Sequence, residues 1–331
     1  MENKMKKIII ALAVFMLASV SVYAGDMTKS GKNVQIWFDT GGPAGGSYGT
    51  VVYNGAKQAA FDTGADVKFM YSDWSSQKMI ENFKKALSAS PDGIVVMGHP
   101  GESAYSPLIT EAEEKGIIVT CIDTPLPSIQ ENYMSQGFGY IGPDNYQQGK
   151  NMAKESIKRF GLKKGDKVLV WGLKRLQTRG LRARGIIEIL KKEKIKVDYL
   201  EISSEIDKDS SLGTPVITGY ISANPDVKAM IIDHGSLTSQ MGNFLRAAGA
   251  GPDQISVAGF SLSPATAEAI EKGYVDLIGD AQPFLLGYLS VAQIVLTKKY
   301  GFSGLEIDTG SGFVGKKEIS KIKPLAKKGL R

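Results

Sequence analysis

The chain has 331 residues, with 40 Lys and Arg against 34 Asp and Glu for a net charge of +6, two histidines and a single cysteine. One cysteine excludes a disulfide framework, and two histidines without Cys or carboxylate at ligand spacing give zinc chemistry nothing to stand on. The basic excess is mild, and the lysines near the end (Lys316, Lys317, Lys321, Lys323, Lys327 and Lys328) have no interleaved aromatics, so they read as a solvated tail and no nucleic-acid partner is expected.

Lys4, Lys6 and Lys7 precede an apolar run over 8–20, and Val22-Tyr23-Ala24 offers small residues ahead of Gly25. This order predicts a signal peptide over 1–24, cleaved before glycine rather than the cysteine of a lipoprotein, and hence a protein free in the periplasm. Later apolar runs fall well short of the roughly 20 residues that span a bilayer. From there short β-rich runs alternate with helical stretches. Strands are predicted over 34–39, 66–72, 93–97 and 117–122, with helices over 48–63, 77–89 and 104–115 between and around them. A Pro- and Gly-rich passage over 125–142 separates a second series. Its helices fall over 146–160, 179–192, 211–223, 237–248 and 264–272, and its strands over 167–171, 197–202, 229–233, 255–258 and 275–278. A last helix over 284–299 is placed to return to the first unit. Such alternation marks βαβ units and parallel sheets, in two α/β lobes.

Several strands run into polar or glycine residues: Asp39 before Gly41-Gly42, Met97 before Gly98-His99, Ile122 before Asp123, and Ile232 before Asp233-His234. Ligands of open α/β sheets bind beyond the carboxyl ends of the strands, so these ends predict a cleft between two facing lobes. The loop Gly41-Gly42-Pro43-Ala44-Gly45-Gly46 lacks the spacing of a dinucleotide fingerprint, and no Gly-Lys-Ser/Thr phosphate loop exists. Gly259-Phe260-Ser261-Leu262-Ser263 ends in serine, so it is no nucleophile elbow. Neither an enzyme, a cofactor nor a metal is expected. Cys121, inside an apolar strand, reads as a small buried hydrophobe.

Asn54-Gly55-Ala56, Ser90-Pro91-Asp92-Gly93-Ile94-Val95-Val96, Lys115-Gly116-Ile117-Ile118-Val119, Asn224-Pro225-Asp226-Val227-Lys228-Ala229, Val257-Ala258-Gly259-Phe260 and Gln282-Pro283-Phe284-Leu285-Leu286-Gly287-Tyr288 occur in this order. Together they resemble the type I periplasmic sugar-binding proteins, ribose-binding-like members of the simple-sugar ABC transporter solute-binding family. The resemblance spans the chain after the signal. It implies two similar doubly wound parallel-sheet lobes joined by three crossover segments, one lobe formed by 33–142 plus 282–308 and the other by 143–281 plus 309–331. It also implies a monomer that carries a small sugar or polyol to an inner-membrane ABC permease. A ligand sensor for a chemoreceptor or membrane kinase, taking a furanose-like signalling molecule, has the same build.

Matched to the ribose-binding pattern, Tyr48 falls on a stacking aromatic, Asp123 on the first lobe's carboxylate and Arg182 on the second lobe's arginine. His99, and His234 where asparagine is common, each add a hydrogen-bonding ring. The pattern is also broken. Thr124 replaces a second arginine, Ser261 an aspartate, Ala281 a glutamine and Gly49 a second aromatic, while Lys208 stands near another aromatic. Ser261 and Gln282 complete the expected ligand set, Gln282 supplying the contact that Ala281 cannot. Arg182, Lys208 and His234 predict a more cationic second lobe and raise the prospect of a sugar acid as ligand. Of the tryptophans, Trp37, Trp74 and Trp171 are expected in packing, with Trp74 and Trp171 near enough to strand ends to reach the cleft.

Overall fold

The computed structural model describes residues 30–331, so the signal expected over 1–24 lies outside the described residues. In chain order the strands are β1 (Gln35–Asp39), β2 (Asp66–Met70), β3 (Gly93–Met97), β4 (Ile118–Ile122), β5 (Gly139–Gly142), β6 (Lys167–Gly172), β7 (Lys196–Glu201), β8 (Val227–Ile232), β9 (Ser256–Phe260), β10 (Leu277–Asp280), β11 (Glu306–Asp308) and β12 (Gly312–Gly315). They form two six-stranded sheets, ordered β11-β5-β4-β3-β1-β2 and β12-β10-β9-β8-β6-β7. Every pairing is parallel except β12 on β10.

Strand burial follows from this topology. All five residues of β3 and of β4 are buried, because helices cover both faces of a parallel sheet, which is why these segments read as near-continuous apolar runs, with Thr120 the one polar residue among them. Edge strand β2 alternates exposed and half-buried residues instead. Cys121 lies within this core, its thiol pushed up by burial and by Asp123 nearby.

Each lobe also joins two helices through glycines. In the first, helix Ser47–Thr63 meets helix Pro283–Tyr300, and a methyl group on Gly55 would strike the Phe284 carbonyl while one on Gly287 would strike that of Val52. In the second, Gly149 of helix Asn145–Phe160 lies against the Arg182 carbonyl, and Gly185 of helix Leu181–Lys192 against that of Tyr146. The last long helix thus returns to the first lobe, as its apolar sequence suggests.

Within the described residues the chain passes between the sheets three times, after β5, after β10 and after β11. The three passages are tied together. Thr309 N–H donates to the Gly142 carbonyl at 3.2 Å, and the Gln282 side chain donates to the Thr309 carbonyl at 3.0 Å.

Some expectations need correction. The lysine-rich end is not merely a solvated tail. It contains helix Ile319–Lys327, which buries Ile319 and Ala326 in the second core, and it ends on an Arg331 to Asp280 ion pair at 2.5 Å. The helix expected over 211–223 is divided between a 3-10 turn, Ser210–Gly213, and helix Thr214–Ala223, with Pro215 in its first turn, and an unexpected short helix, Ser204–Lys208, precedes them. The passage over 125–142 holds a helix, Pro127–Tyr133, and strand β5.

Candidate functional site

A cavity lies between the lobes at the carboxyl ends of β3, β4, β8 and β9. Its first-lobe wall is Ser47, Tyr48, Trp74, Ser76, His99 and Asp123; the charged part of its second-lobe wall is Arg175, Arg179, Arg182, Asp207 and His234, with Phe260 and Ser261 beside them.

The first wall is aimed by local backbone geometry. Asp39, at the end of β1, does not line the cavity. Its carboxylate accepts from the Gly41 N–H at 2.8 Å, from Asn82 at 3.0 Å and from the Ser72 hydroxyl, and so folds the glycine loop. Gly41, at φ 78°, packs where any side chain would meet Met97, and a methyl group on Gly42 would touch the Trp74 ring at 3.0 Å. The loop therefore seats Trp74 over the cavity, 5.8 Å from Tyr48 and 5.7 Å from His99 between ring centroids. Of the tryptophans, only Trp74 faces the cavity: Trp171 is fully buried against Phe244, and Trp37 lies under Lys68.

Asp123 follows β4 with a left-handed φ of 64°, a conformation costly for a residue with a side chain and common at ligand sites. Its Oδ1 accepts the Tyr48 hydroxyl at 2.5 Å, and its Oδ2 stands 3.7 Å from His99 Nε2. Burial pushes its carboxyl up, but His99, the Tyr48 hydrogen bond, Arg179 and Arg182 together hold it below the usual carboxylate range. His99 is also lowered, but by burial itself: desolvation depresses its imidazole, Asp123 and Asp207 oppose this, and the two arginines reinforce it.

The second wall is built on a buried carboxylate. Asp233, fully buried just past β8, accepts Arg179 at both oxygens (3.1 and 3.2 Å) and Arg182 Nε at 2.5 Å. Arg179 also donates to the Asp233 carbonyl at 3.0 Å, and Arg182 to Gln148 at 3.0 Å while its guanidinium covers Phe260 at 4.0 Å. Burial and then Arg179 pull Arg182 below the ordinary guanidinium value, whereas Asp233 and Asp123 outweigh burial and raise Arg179. Beside this pair, Asp207 joins Arg175 at 2.9 Å and His234 Nε2 at 3.0 Å. His234 Nδ1 accepts the Leu237 N–H at 3.3 Å, capping helix Gly235–Ala247, so Nε2 is the nitrogen that donates to Asp207.

Six of the seven expected residues, Tyr48, His99, Asp123, Arg182, His234 and Ser261, border this one cavity. Ser261, left-handed at φ 68°, fits because Gly235 opposite has no side chain. Gln282 does not border it. Its own left-handed backbone, φ 53°, turns its amide onto Thr309 between the crossovers, leaving Ala281 at the cavity. His234 has both ring nitrogens engaged, so it shapes the wall rather than offering a bond. Lys208 is exposed outside the cavity while its neighbour Asp207 lines it. Arg175, Arg179 and Asp207 were missed: the arginines sit in a basic run that resembles a solvated helix face, and only the polar end of β8 pointed toward Asp233.

Comparison with known proteins follows this geometry. A family model described as a periplasmic binding protein domain matches residues 41–299. The chain belongs to that family. The periplasmic binding protein is 29% identical over 259 residues to a xylose/arabinose-binding protein of Sulfolobus acidocaldarius, covering 73% of this chain and 61% of the relative. It is 26% identical over 207 residues to a D-ribose/D-allose-binding protein of Pseudomonas aeruginosa, covering 62% of this chain and 61% of the relative. The matches thus span about three fifths of these relatives' length. Among solved structures, a carbohydrate transporter from Acidothermus cellulolyticus in complex with myo-inositol superposes with a TM-score of 0.76 at 21% identity, covering 90% of this chain and 100% of the other. A galactofuranose binding protein gives 0.77 at 17%, with the same coverage. At these identities the structures establish the shared two-lobe fold.

Proposed function

We propose that this periplasmic binding protein captures a small, neutral polyhydroxylated molecule, a sugar or polyol, between its lobes and delivers it to an inner-membrane ABC permease. The observation that carries the reading is the division of labour across the cavity. An acceptor, Asp123, and an aromatic face, Trp74, stand on one lobe, and the donors Arg179 and Arg182 stand on the other. A sugar offers hydroxyl protons, ring and hydroxyl oxygens, and an apolar ring face, and each has its counterpart in these walls.

The sugar and polyol ligands named for the relatives support the same chemistry. The three arginines of the second wall are matched by Asp123, Asp207 and Asp233, which favours a neutral ligand over the sugar acid that the basic residues suggest on their own. No bond-breaking step is assigned: the carboxylates and rings are committed to holding one another. Release into the periplasm after signal cleavage, and a monomeric state, complete the proposal.

A thermal-shift screen over pentoses, hexoses, inositols and uronic acids tests it. A ligand at about 100 times its dissociation constant adds roughly 2.7 kcal/mol of stability, so a true ligand moves the melt by several degrees. A panel in which neutral sugars and polyols leave the melt unmoved counts against the reading.

A further inference from the structure

Two guanidiniums buried side by side at the start of a helix form an unfavourable arrangement, because the positive end of the helix dipole adds to their mutual repulsion and to the cost of desolvation. Arg179 and Arg182 are 6% and 7% exposed, and Arg182 sits in the first turn of helix Leu181–Lys192. Asp233 resolves this. It is fully buried, lies behind the cavity wall rather than on it, and contacts both arginines, leaving the pair with one net positive charge. Across the cavity Asp123 supplies one negative charge, and Arg175 is offset by Asp207.

We propose that Asp233 is the specificity-determining charge of the site: it fixes Arg179 and Arg182 as a rigid pair of donors and cancels one of their charges, so that neutral sugars are taken in preference to their carboxylate counterparts. This rests on the sugar-binding reading above. Asp233 acts through the arginines and is a positioning residue. Three observations support it. Arg179 is held through two nitrogens, Nη1 donating to both Asp233 carboxylate oxygens and Nη2 to the Asp233 carbonyl, which fixes the guanidinium plane. Arg182 is pinned on its other edge by Gln148 and on its face by Phe260, so neither arginine swings away to rebalance charge. Gly172 leaves the space beside Asp233, where an added Cβ would stand 3.2 Å from the Asp233 Cβ.

The test is selectivity rather than affinity alone, because any damage to the wall weakens binding. Calorimetry with matched pairs, D-glucose with D-glucuronate and D-galactose with D-galacturonate, gives a neutral-to-acid ratio of dissociation constants for each variant. Wild type favours the neutral member. Asp233→Asn shifts the ratio toward the acid by at least about tenfold, as expected for uncovering one charge at short range in a partly screened site. Asp233→Asn combined with Arg179→Gln removes one charge of each sign and returns the ratio toward wild type.

An Asp233→Asn protein that loses neutral and acidic binding in equal proportion overturns the proposal and leaves Asp233 a structural role, as does a wild type that prefers the acids. If the single variant does not fold, Arg179→Gln carries the test, since it leaves Asp233 to cancel Arg182 alone: a ratio shifted further toward the neutral sugar supports the proposal and an unaltered ratio overturns it. A folded wild type that binds no member of a wider sugar and polyol panel removes the sugar reading and this proposal together, an outcome distinct from unaltered selectivity.

Discussion

Asp123 is the residue on which the proposed site depends, because its carboxylate faces Tyr48, His99 and both arginines from the left-handed turn after β4. Asp123→Ala abolishes any ligand-induced shift of the melt, and Asp123→Asn, which keeps one acceptor, weakens binding by about 1.5–3 kcal/mol, the worth of a hydrogen bond to a charged group. An unchanged shift in the alanine variant removes Asp123 from the site. Two other groups govern pH behaviour with opposite signs. Burial depresses His99, against the pull of Asp123 and Asp207 and together with Arg179 and Arg182, so the unfolded chain binds its proton more readily. The His99 contribution is therefore present above the free imidazole value and lost as pH falls below it. Glu113 is the reverse. Its Oε1 is buried without a partner, and burial raises the carboxyl to about 7, so it destabilises the fold as pH rises from the free carboxyl value through 7. Glu113→Gln consequently stabilises the protein at pH 8 by about 1 kcal/mol, discounted for partial exposure, with the gain vanishing toward pH 4. Denaturant melts across that range read the difference, and a pH-independent offset contradicts the assignment.

At the scale of elements, the glycine contacts between helices make a counter-intuitive prediction. Gly→Ala in a helix interior ordinarily stabilises by about 1 kcal/mol. Gly55→Ala instead forces helix Ser47–Thr63 away from the Phe284 carbonyl, and destabilises the first lobe by about 1–3 kcal/mol in a denaturant melt. A stabilised variant means the helices are farther apart than described. Gly55 and Gly287 were visible in the sequence only within fragments of a family resemblance, and Gly149 and Gly185 not at all; the packing explains why they stand where they do.

The alternation of long helices with apolar strands such as β3 and β4 was legible because each buried strand is a near-continuous apolar run. By contrast β5, β11 and β12 have four, three and four residues, and tertiary pairing rather than their own composition makes them strands. The C-terminal helix escaped notice because Pro324 and its lysines mask the apolar face. Asp123 was legible as a polar residue at a strand end. Arg179 and Arg175 were not, since a basic run gives no sign that a buried carboxylate, contributed from β8 some fifty residues later, turns part of it inward.

At the scale of the molecule, three short crossovers connect the lobes within the described residues, and the facing walls hold opposite halves of a hydrogen-bonding surface. That arrangement suits hinge closure on a ligand. Gln282, expected at the ligand, bonds to Thr309 between crossovers instead, so Gln282→Ala alters affinity far less than Asp123→Ala does. Equal losses in the two variants, read by calorimetry, return Gln282 to the ligand. Small-angle scattering with and without a saturating ligand follows the closure itself, with a smaller radius of gyration expected in the loaded form.

In the proposed function, one neutral polyhydroxylated molecule is held between Asp123 on one lobe and the Arg179–Arg182 pair on the other. Titration calorimetry of the purified protein with the sugar or polyol that most raises its melt tests this most directly. The account predicts one site per chain, with heat that disappears in Asp123→Ala. Binding that survives that substitution unchanged, or a stoichiometry other than one, contradicts it.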